Sequence, residues 1–309
     1  MTDQDTPYVY DVYGLKVHSF YKLPEIRPAV TGTAITESSV WIRPGAVPFD
    51  LEDGERVSEY MEVGKDCCLY TFDGVGRFLI RNGLEIVVDA ESSSAEVAIR
   101  AYIIGSGLGT LLHQRKKLPL HVSSVLTPSG VVAFTGHSGA GKSTMAGLLN
   151  KETGWPLISD DLAVLDPAKT QLQLNGGVIR LKLWKDAVQL LGSETEDLSQ
   201  DFARIDKYHL HAPRMFTDEM HELRHLIMLQ PSEDMRMERI EHGRAFELMM
   251  TAIYRPELVR YFNDPAAVFS KCADAARQIE VSIFHRVWSQ VGLIDSVNFL
   301  AEYFDTSKK

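Results

Sequence analysis

Short apolar runs broken by turn residues fill residues 1 to about 90, a pattern that predicts strands. The clearest stretch is Phe78-Leu79-Ile80-Arg81-Asn82-Gly83-Leu84-Glu85-Ile86-Val87-Val88, with apolar residues on both sides of Asn-Gly. Asn-Gly suits the two positive φ angles of a type I′ turn, so a hairpin is expected there. Further strands are expected within Tyr8–Ser19, Ser39–Arg43 and Cys67–Phe72, punctuated by Pro24, Pro28, Pro44 and Pro48. The period then changes. Val97, Ala101, Ile104, Leu108 and Leu111 share one face of a helix. Ser93 and Glu96 have the spacing of a capping box at its start, and Arg115, Lys116 and Lys117 suit the negative end of its dipole. Gly105-Ser106-Gly107-Leu108-Gly109 continues this helical pattern with no strand before it, which favours close helix packing over a nucleotide loop. Pro119 is expected to end the helix and to mark a domain boundary near residue 118.

Beyond that point the order is strand, loop, helix, strand. Val131–Thr135 is an apolar, β-branched run, Met145–Lys151 reads as a helix closed near Gly154, and Pro156–Ser159 reads as a second strand. A hairpin is expected from Leu162–Leu165 and Gln171–Leu174 around Pro167, and helices over Ala245–Tyr254, Ala266–Ile279 and Ser282–Leu293. The whole predicts an α/β protein with a β-rich N-terminal domain over residues 1–117 and a second domain over 118–309 that ends in helices.

With 309 residues, 45% hydrophobic and 24% charged, and 13 Phe, 11 Tyr and 4 Trp, the chain can bury a sizeable core. The net charge of −10 argues against nucleic acid or an anionic membrane as main partner. Three cysteines, two adjacent, form no disulfide framework and fit a reducing compartment. The N-terminus lacks a secretory pattern and no run approaches a membrane span, so a cytoplasmic protein is expected.

The chemistry centres on Gly136-His137-Ser138-Gly139-Ala140-Gly141-Lys142-Ser143-Thr144, whose first eight residues satisfy G-x-x-x-x-G-K-[ST] between a strand and a helix. The glycines let backbone N–H groups wrap a phosphate chain at a helix N-terminus. Lys142 would reach the β- and γ-phosphates, and the Ser143 hydroxyl would ligate Mg²⁺. A nucleoside triphosphate site is therefore expected. Asp160-Asp161 follow the next predicted strand, 18 and 19 residues past Lys142. One carboxylate can hold the metal while its neighbour accepts the proton of an attacking hydroxyl, the kind of positioning that phosphoryl transfer needs. Asn150-Lys151-Glu152-Thr153 is not the base-reading element of a GTPase, and no LSGGQ segment appears. His221-Glu222-Leu223-Arg224-His225 fits HExxH, but it runs into Leu226–Leu229, which reads as a strand, so zinc chemistry is disfavoured. Lys207–Arg214 reads as a basic substrate clamp or a solvated loop, with the loop favoured, and Arg255 as a candidate phosphate contact.

The stretch LPLHVSSVLTPSGVVAFTGHSGAGKSTMAGLLNKETGWPLISDDLAVLD resembles the catalytic core of the HPr kinase/phosphorylase family. The segments YVYDVYGLKVHSFYKLPEI and LLHQRKKLPLH resemble HPr-kinase-like proteins encoded beside bacterial peptide-tailoring genes. Among these are the lasso-peptide kinases, which phosphorylate a serine at the C-terminus of a precursor peptide. The resemblance implies ATP and Mg²⁺, a peptide or small-protein acceptor, and a role for His121 beside the acid pair. It leaves open which of Asp160 and Asp161 is the base and which lies near the metal; Asp160 is assigned to the metal with Ser143. Thr144 stands where the HPr enzymes usually carry an acid. GGVIRLKLW lacks their metal-holding Glu, leaving Arg180 as the charged candidate there for contacting phosphate. HPr kinases assemble as hexamers, so a homo-oligomer is among the expectations.

Overall fold

Eight strands of the N-terminal third pair into a single sheet in the computed structural model, which describes residues 6–29, 38–166, 172–195, 198–201, 206–217 and 220–305. They are β1 (Tyr8–Val12), β2 (Leu15–Ser19), β3 (Val40–Pro44), β4 (Glu55–Ser58), β5 (Met61–Val63), β6 (Cys67–Phe72), β7 (Gly76–Arg81) and β8 (Glu85–Ala90), in spatial order β1-β2-β3-β8-β7-β6-β5-β4. The β7–β8 hairpin turns at Asn82 (φ 57°) and Gly83 (φ 65°), both left-handed as the Asn-Gly pair predicts, and Leu84 N–H closes the turn on the Arg81 carbonyl.

One face of this sheet is covered by α1 (Glu96–Tyr102), a π turn over Ile103–Gly107, and α2 (Leu108–Gln114). Ile99, Ile103, Ile104, Leu108, Leu111 and Leu112 bury themselves against Tyr70, Phe78, Ile80 and Ile86. The expected capping box does not form. Ala95 is the N-cap and makes no side-chain bond, while the Ser94 hydroxyl donates to the Glu91 carbonyl instead. Nor does Pro119 end the helix: the chain leaves it after Gln114, Lys116 takes φ 59°, and Pro119 pairs with Val164 inside a strand. This first core also takes in Leu162, Val164, Val178, Leu258 and Phe262 from far downstream.

The later strands are β9 (Leu118–Leu120), β10 (Ser123–Thr127), β11 (Gly130–Thr135), β12 (Leu157–Ser159), β13 (Ala163–Asp166), β14 (Gln173–Asn175), β15 (Arg180–Trp184), β16 (Ser199–Gln200), β17 (Lys207–His211), β18 (His221–Ser232), β19 (Arg236–Ile240) and β20 (Glu280–Val287). Strands β15, β17 and β16 form a small sheet; the others form a nine-stranded one in which β11, β18 and β20 run parallel. The helices are α3 (Lys142–Thr153), α4 (Lys185–Leu190), α5 (His242–Thr251), α6 (Val259–Phe262), α7 (Pro265–Gln278) and α8 (Gln290–Phe304). The fold is thus mixed α/β. The β13–β14 pair matches the expected second hairpin, although its turn, with Pro167 and Gln171, lies outside the described residues.

Two further expectations fail. Ser282–Leu293 is not a helix: strand β20 runs to Val287 and α8 starts only at Gln290, so the C-terminal part is not simply helical. The strand lies between β18 and β19 and is buried on both faces, with Ser282, His285 and Arg286 buried among its apolar residues, so it shows no apolar–polar alternation to mark it as a strand. Lys207–His211 is a strand rather than a loop, with His209 buried. His221 and His225 do lie on a strand, β18, where four residues span about 13 Å, too far to share one ion. No helix among the described residues is long and apolar enough to cross a membrane.

The small residues of the π turn and α2 do pack closely. A Cβ at Gly109 would come within 2.4 Å of the Tyr254 ring. Gly109→Ala should therefore destabilise the protein by about 1–3 kcal/mol through overpacking, despite alanine's better helix propensity. Urea unfolding measures this; a neutral or stabilised variant would contradict the close approach.

Candidate active site

Strand β11 ends at Thr135, and the glycine-rich loop follows at the carboxyl edge of the parallel strands, where ligands of open α/β sheets bind. Gly136, Gly139 and Gly141 have φ values of 137°, 89° and 88°, a region other residues rarely enter. The loop delivers the twelve-residue helix α3, whose N-terminus has no side-chain cap. Its first N–H groups thus turn towards the loop, the arrangement that holds anions. Lys142 is buried, and its ammonium donates to the carbonyls of Gly136 (3.0 Å) and His137 (3.4 Å). Thr144 is also buried, while His137 and Ser138 are exposed.

Strand pairing brings the acid pair here. Strand β12 pairs with β10, Ser159 opposite Ser124, so Asp160 stands beside Ser123. The Ser123 hydroxyl donates to Asp160 Oδ1 at 2.5 Å and lies 3.5 Å from Ser143 Oγ. Asp161 is left-handed (φ 72°), which turns its side chain the other way, towards His121 Nε2 (3.3 Å). His121 is held from behind. Its N–H donates to the Ala252 carbonyl, and its ring packs edge-on against Tyr254 at 6.0 Å.

Lys182, on β15, was not foreseen from the sequence. Its backbone N–H donates to Asp160 Oδ2 (2.7 Å), and its ammonium donates to Asp161 Oδ2 (3.1 Å). One residue therefore grips both aspartates. Arg180, the candidate drawn from the same segment, does not line the main cavity. It is buried two residues away, 3.8 Å from Glu25 and 3.4 Å from His209 Nδ1. Both residues share a strand face, so alternation could not choose between them; only the distant partners of Arg180 do.

These environments drive the two carboxyls apart. Burial pushes Asp160 upwards and the charge of Asp161 adds to this, with the bonds from Ser123 and Lys182 only partly offsetting them. Burial also acts on Asp161, but the Lys182 ammonium and His121 outweigh it and hold this carboxyl well below the ordinary range. Burial would lower Lys182, yet Asp161 raises it on balance. Asp161 keeps about a third of its side chain accessible (32%), whereas Asp160 is 3% exposed.

His121, Lys142, Ser143, Asp161 and Lys182 line one cavity of about 640 Å³. Its far wall comes from the N-terminal sheet and its helix: Tyr60, Phe72, Tyr102 and Ser106. Phe72 and Tyr102 stack at 3.6 Å. Arg255 also lines this cavity, with Nη2 donating to the Ser106 hydroxyl at 2.9 Å and its guanidinium 5.3 Å from the centre of the Tyr70 ring. No group of three or more His, Cys, Asp or Glu side chains placed to hold a metal occurs among the described residues.

No protein-family model matches this chain, and no curated protein does either. Among solved structures the chain is similar to the Hpr(Ser) kinase/phosphatase from Coxiella burnetii, at 14% identity over 62% of this chain and 99% of that chain, with a TM-score of 0.29. So loose an overlap assigns no residue a role.

The segment behind His121 depends on a buried histidine. His113 Nε2 lies 2.6 Å from the Tyr254 carbonyl, and Nδ1 lies 3.3 Å from the Asn263 amide, a pairing that suits the neutral ring. Burial lowers its pKa from 6.5 to about 4. The unfolded chain therefore binds the proton more readily, so this contribution to stability is complete above pH 6.5 and is lost as the pH falls towards 4. Unfolding free energy should fall by about 3 kcal/mol from this group across that window. His113→Gln, which keeps an N–H donor, should flatten that slope in urea titrations at several pH values; an unchanged slope would remove His113 as its source.

Proposed function

We propose that this chain is an ATP-dependent kinase that transfers the γ-phosphoryl group to a serine hydroxyl of a peptide or small protein. The carrying observation is the acid pair. Two adjacent carboxyls with opposite shifts stand in and beside the cavity that the phosphate-loop lysine lines. A purely structural nucleotide would require no such division.

The residues divide the work as follows. Backbone N–H groups of the loop and of the first turn of α3 would bind the phosphates, and Lys142 would exchange its loop carbonyls for β- and γ-phosphate oxygens. Ser143 and Asp160 are the oxygen donors that fit Mg²⁺, which takes one or two protein ligands alongside phosphate and water and would neutralise charge on the leaving phosphate. The greater exposure of Asp161 supports its facing the acceptor. As the acceptor oxygen bonds to the γ-phosphorus and the bond to the β-phosphate oxygen breaks, the hydroxyl proton passes to Asp161. A carboxylate this acidic is a weak base, but a loose phosphoryl-transfer transition state asks chiefly for orientation of the nucleophile, with the proton moving late. His121 and Lys182 hold Asp161 in place for this.

The acceptor class rests on two supports. The cavity continues from Asp161 to the aromatic wall of Tyr60, Phe72 and Tyr102, which gives an extended chain something to lie against. The resemblance of the N-terminal segments to lasso-peptide kinases points to a ribosomal precursor peptide.

Intact-mass measurement after incubation with Mg·ATP tests this, with HPr, a lasso-type precursor ending in serine, and no acceptor as the three arms. One added phosphate on an acceptor is expected. Lys142→Ala and Asp161→Asn should each lower the transfer rate at least about 100-fold while leaving a folded protein. Full transfer by either variant would overturn the assignment, and ADP formed with no acceptor modified would favour a regulatory ATPase.

A further inference from the structure

A second cavity, of about 860 Å³, opens on the other side of the phosphate loop. The two cavities meet at Gly139, Gly141, Thr144 and Trp184, which line both. The first holds Asp161, with Asp160 buried beside it, and therefore the reacting end of a bound triphosphate. A phosphate chain lying in the loop has its other end at the second. That cavity carries two large exposed aromatics, Trp184 (38% exposed) and Trp288 (54%). Trp288 immediately follows β20, so it stands at the same carboxyl edge of the parallel strands as the loop after β11.

Arg286, which also lines this cavity, points to an anion. It is 4% exposed, and its Nη2 donates to the Ala140 carbonyl at 3.2 Å. It packs so tightly under the loop that a Cβ on Gly141 would stand 2.8 Å from Nη2. Its guanidinium lies 4.5 Å from the centre of the Trp288 ring. Its Nε has no partner, and no carboxylate pairs with it among the described residues. A buried guanidinium with a donor left over is costly unless an anion meets it.

We propose that this second cavity holds the nucleoside of the triphosphate, with the base stacked on the Trp288 indole, Trp184 at the junction with the first cavity, and Arg286 meeting the phosphate chain beneath the loop. Stacking suits this place because an indole offers a flat face to any base, and removing such a face weakens binding measurably. The proposal rests on the kinase reading only through the phosphate loop; it needs a bound nucleotide and makes no use of the acceptor.

The test is calorimetric binding of Mg²⁺ with either ATP or inorganic tripolyphosphate to the full chain, which needs no turnover. Wild type should bind ATP more tightly than tripolyphosphate. Trp288→Ala should weaken ATP roughly 5- to 150-fold and leave tripolyphosphate unchanged. Trp288→Phe, which keeps an aromatic face, should recover most of the loss, and an unshifted thermal midpoint should show that this exposed position does not govern folding. Equal affinity of wild type for the two ligands, or an equal effect of Trp288→Ala on both, would overturn the base slot while leaving the phosphate loop standing. Binding of neither ligand to wild type would overturn the nucleotide reading and the slot with it.

Discussion

The site depends on Lys182 bonding two aspartates at once. Adjacent carboxylates in a buried setting repel each other, and burial alone would push both towards the neutral form. Lys182 resolves this with two different groups. Its peptide N–H meets Asp160 and carries no net charge, so Asp160 stays shifted upwards. Its ammonium meets Asp161 and carries a full charge, so Asp161 stays ionised. The unusual backbone of Asp161 makes the division feasible, because a left-handed residue after a strand sends consecutive side chains to separate partners. Strain of this kind persists only where surrounding contacts over-determine it, and here Lys182 and His121 both pull on the same carboxylate.

Those contacts tie distant parts of the chain together. Strand β15, which carries Lys182, belongs to the small sheet, and its Arg180 reaches Glu25 before the first helix. His121 hangs from the 252–254 segment, which in turn is held by His113 at the end of α2 and fills the space left by Gly109. These contacts connect the helix on the N-terminal sheet to His121 by a route that does not run through the glycine-rich loop. The same helix relaxes into a π turn at Ile103–Gly107, the turn that brings Gly105 and Ser106 to the cavity wall. Interruptions of this type recur at functional sites because they reshape a helix locally without ending it.

Local signals in the sequence were legible where local physics decides the conformation. Asn82-Gly83 specifies its turn, the glycine-rich loop of Gly136–Gly141 specifies its own backbone geometry, and Gly154 closes α3 in the left-handed region as expected. His121, Asp160 and Asp161 were recognisable as candidates, and pairing of β10 with β12 is what brings them near Ser143. What stayed hidden depends on long-range pairing. Strand β20 reads like a helix because neighbours on both sides bury it. Ser93 has the sequence of a cap but lies too early once tertiary packing starts the helix at Glu96. Lys182 differs from Arg180 only through partners that lie more than twenty residues away in either direction.

Placing the loop between two cavities also separates two recognition problems. On the proposed kinase reading, the side towards Asp161 would have to admit a hydroxyl and exclude water, and it is walled by aromatics of the N-terminal sheet and its helix. The side towards Trp288 is lined by none of those N-terminal residues. A hydroxyl carried by a flexible peptide gains from a surface that restricts it, since orientation is what phosphoryl transfer chiefly requires. On the proposed kinase reading, the β-rich N-terminal part would contribute through confinement, because what it brings to the cavity beside Asp161 is chiefly the aromatic surface of Tyr60, Phe72 and Tyr102.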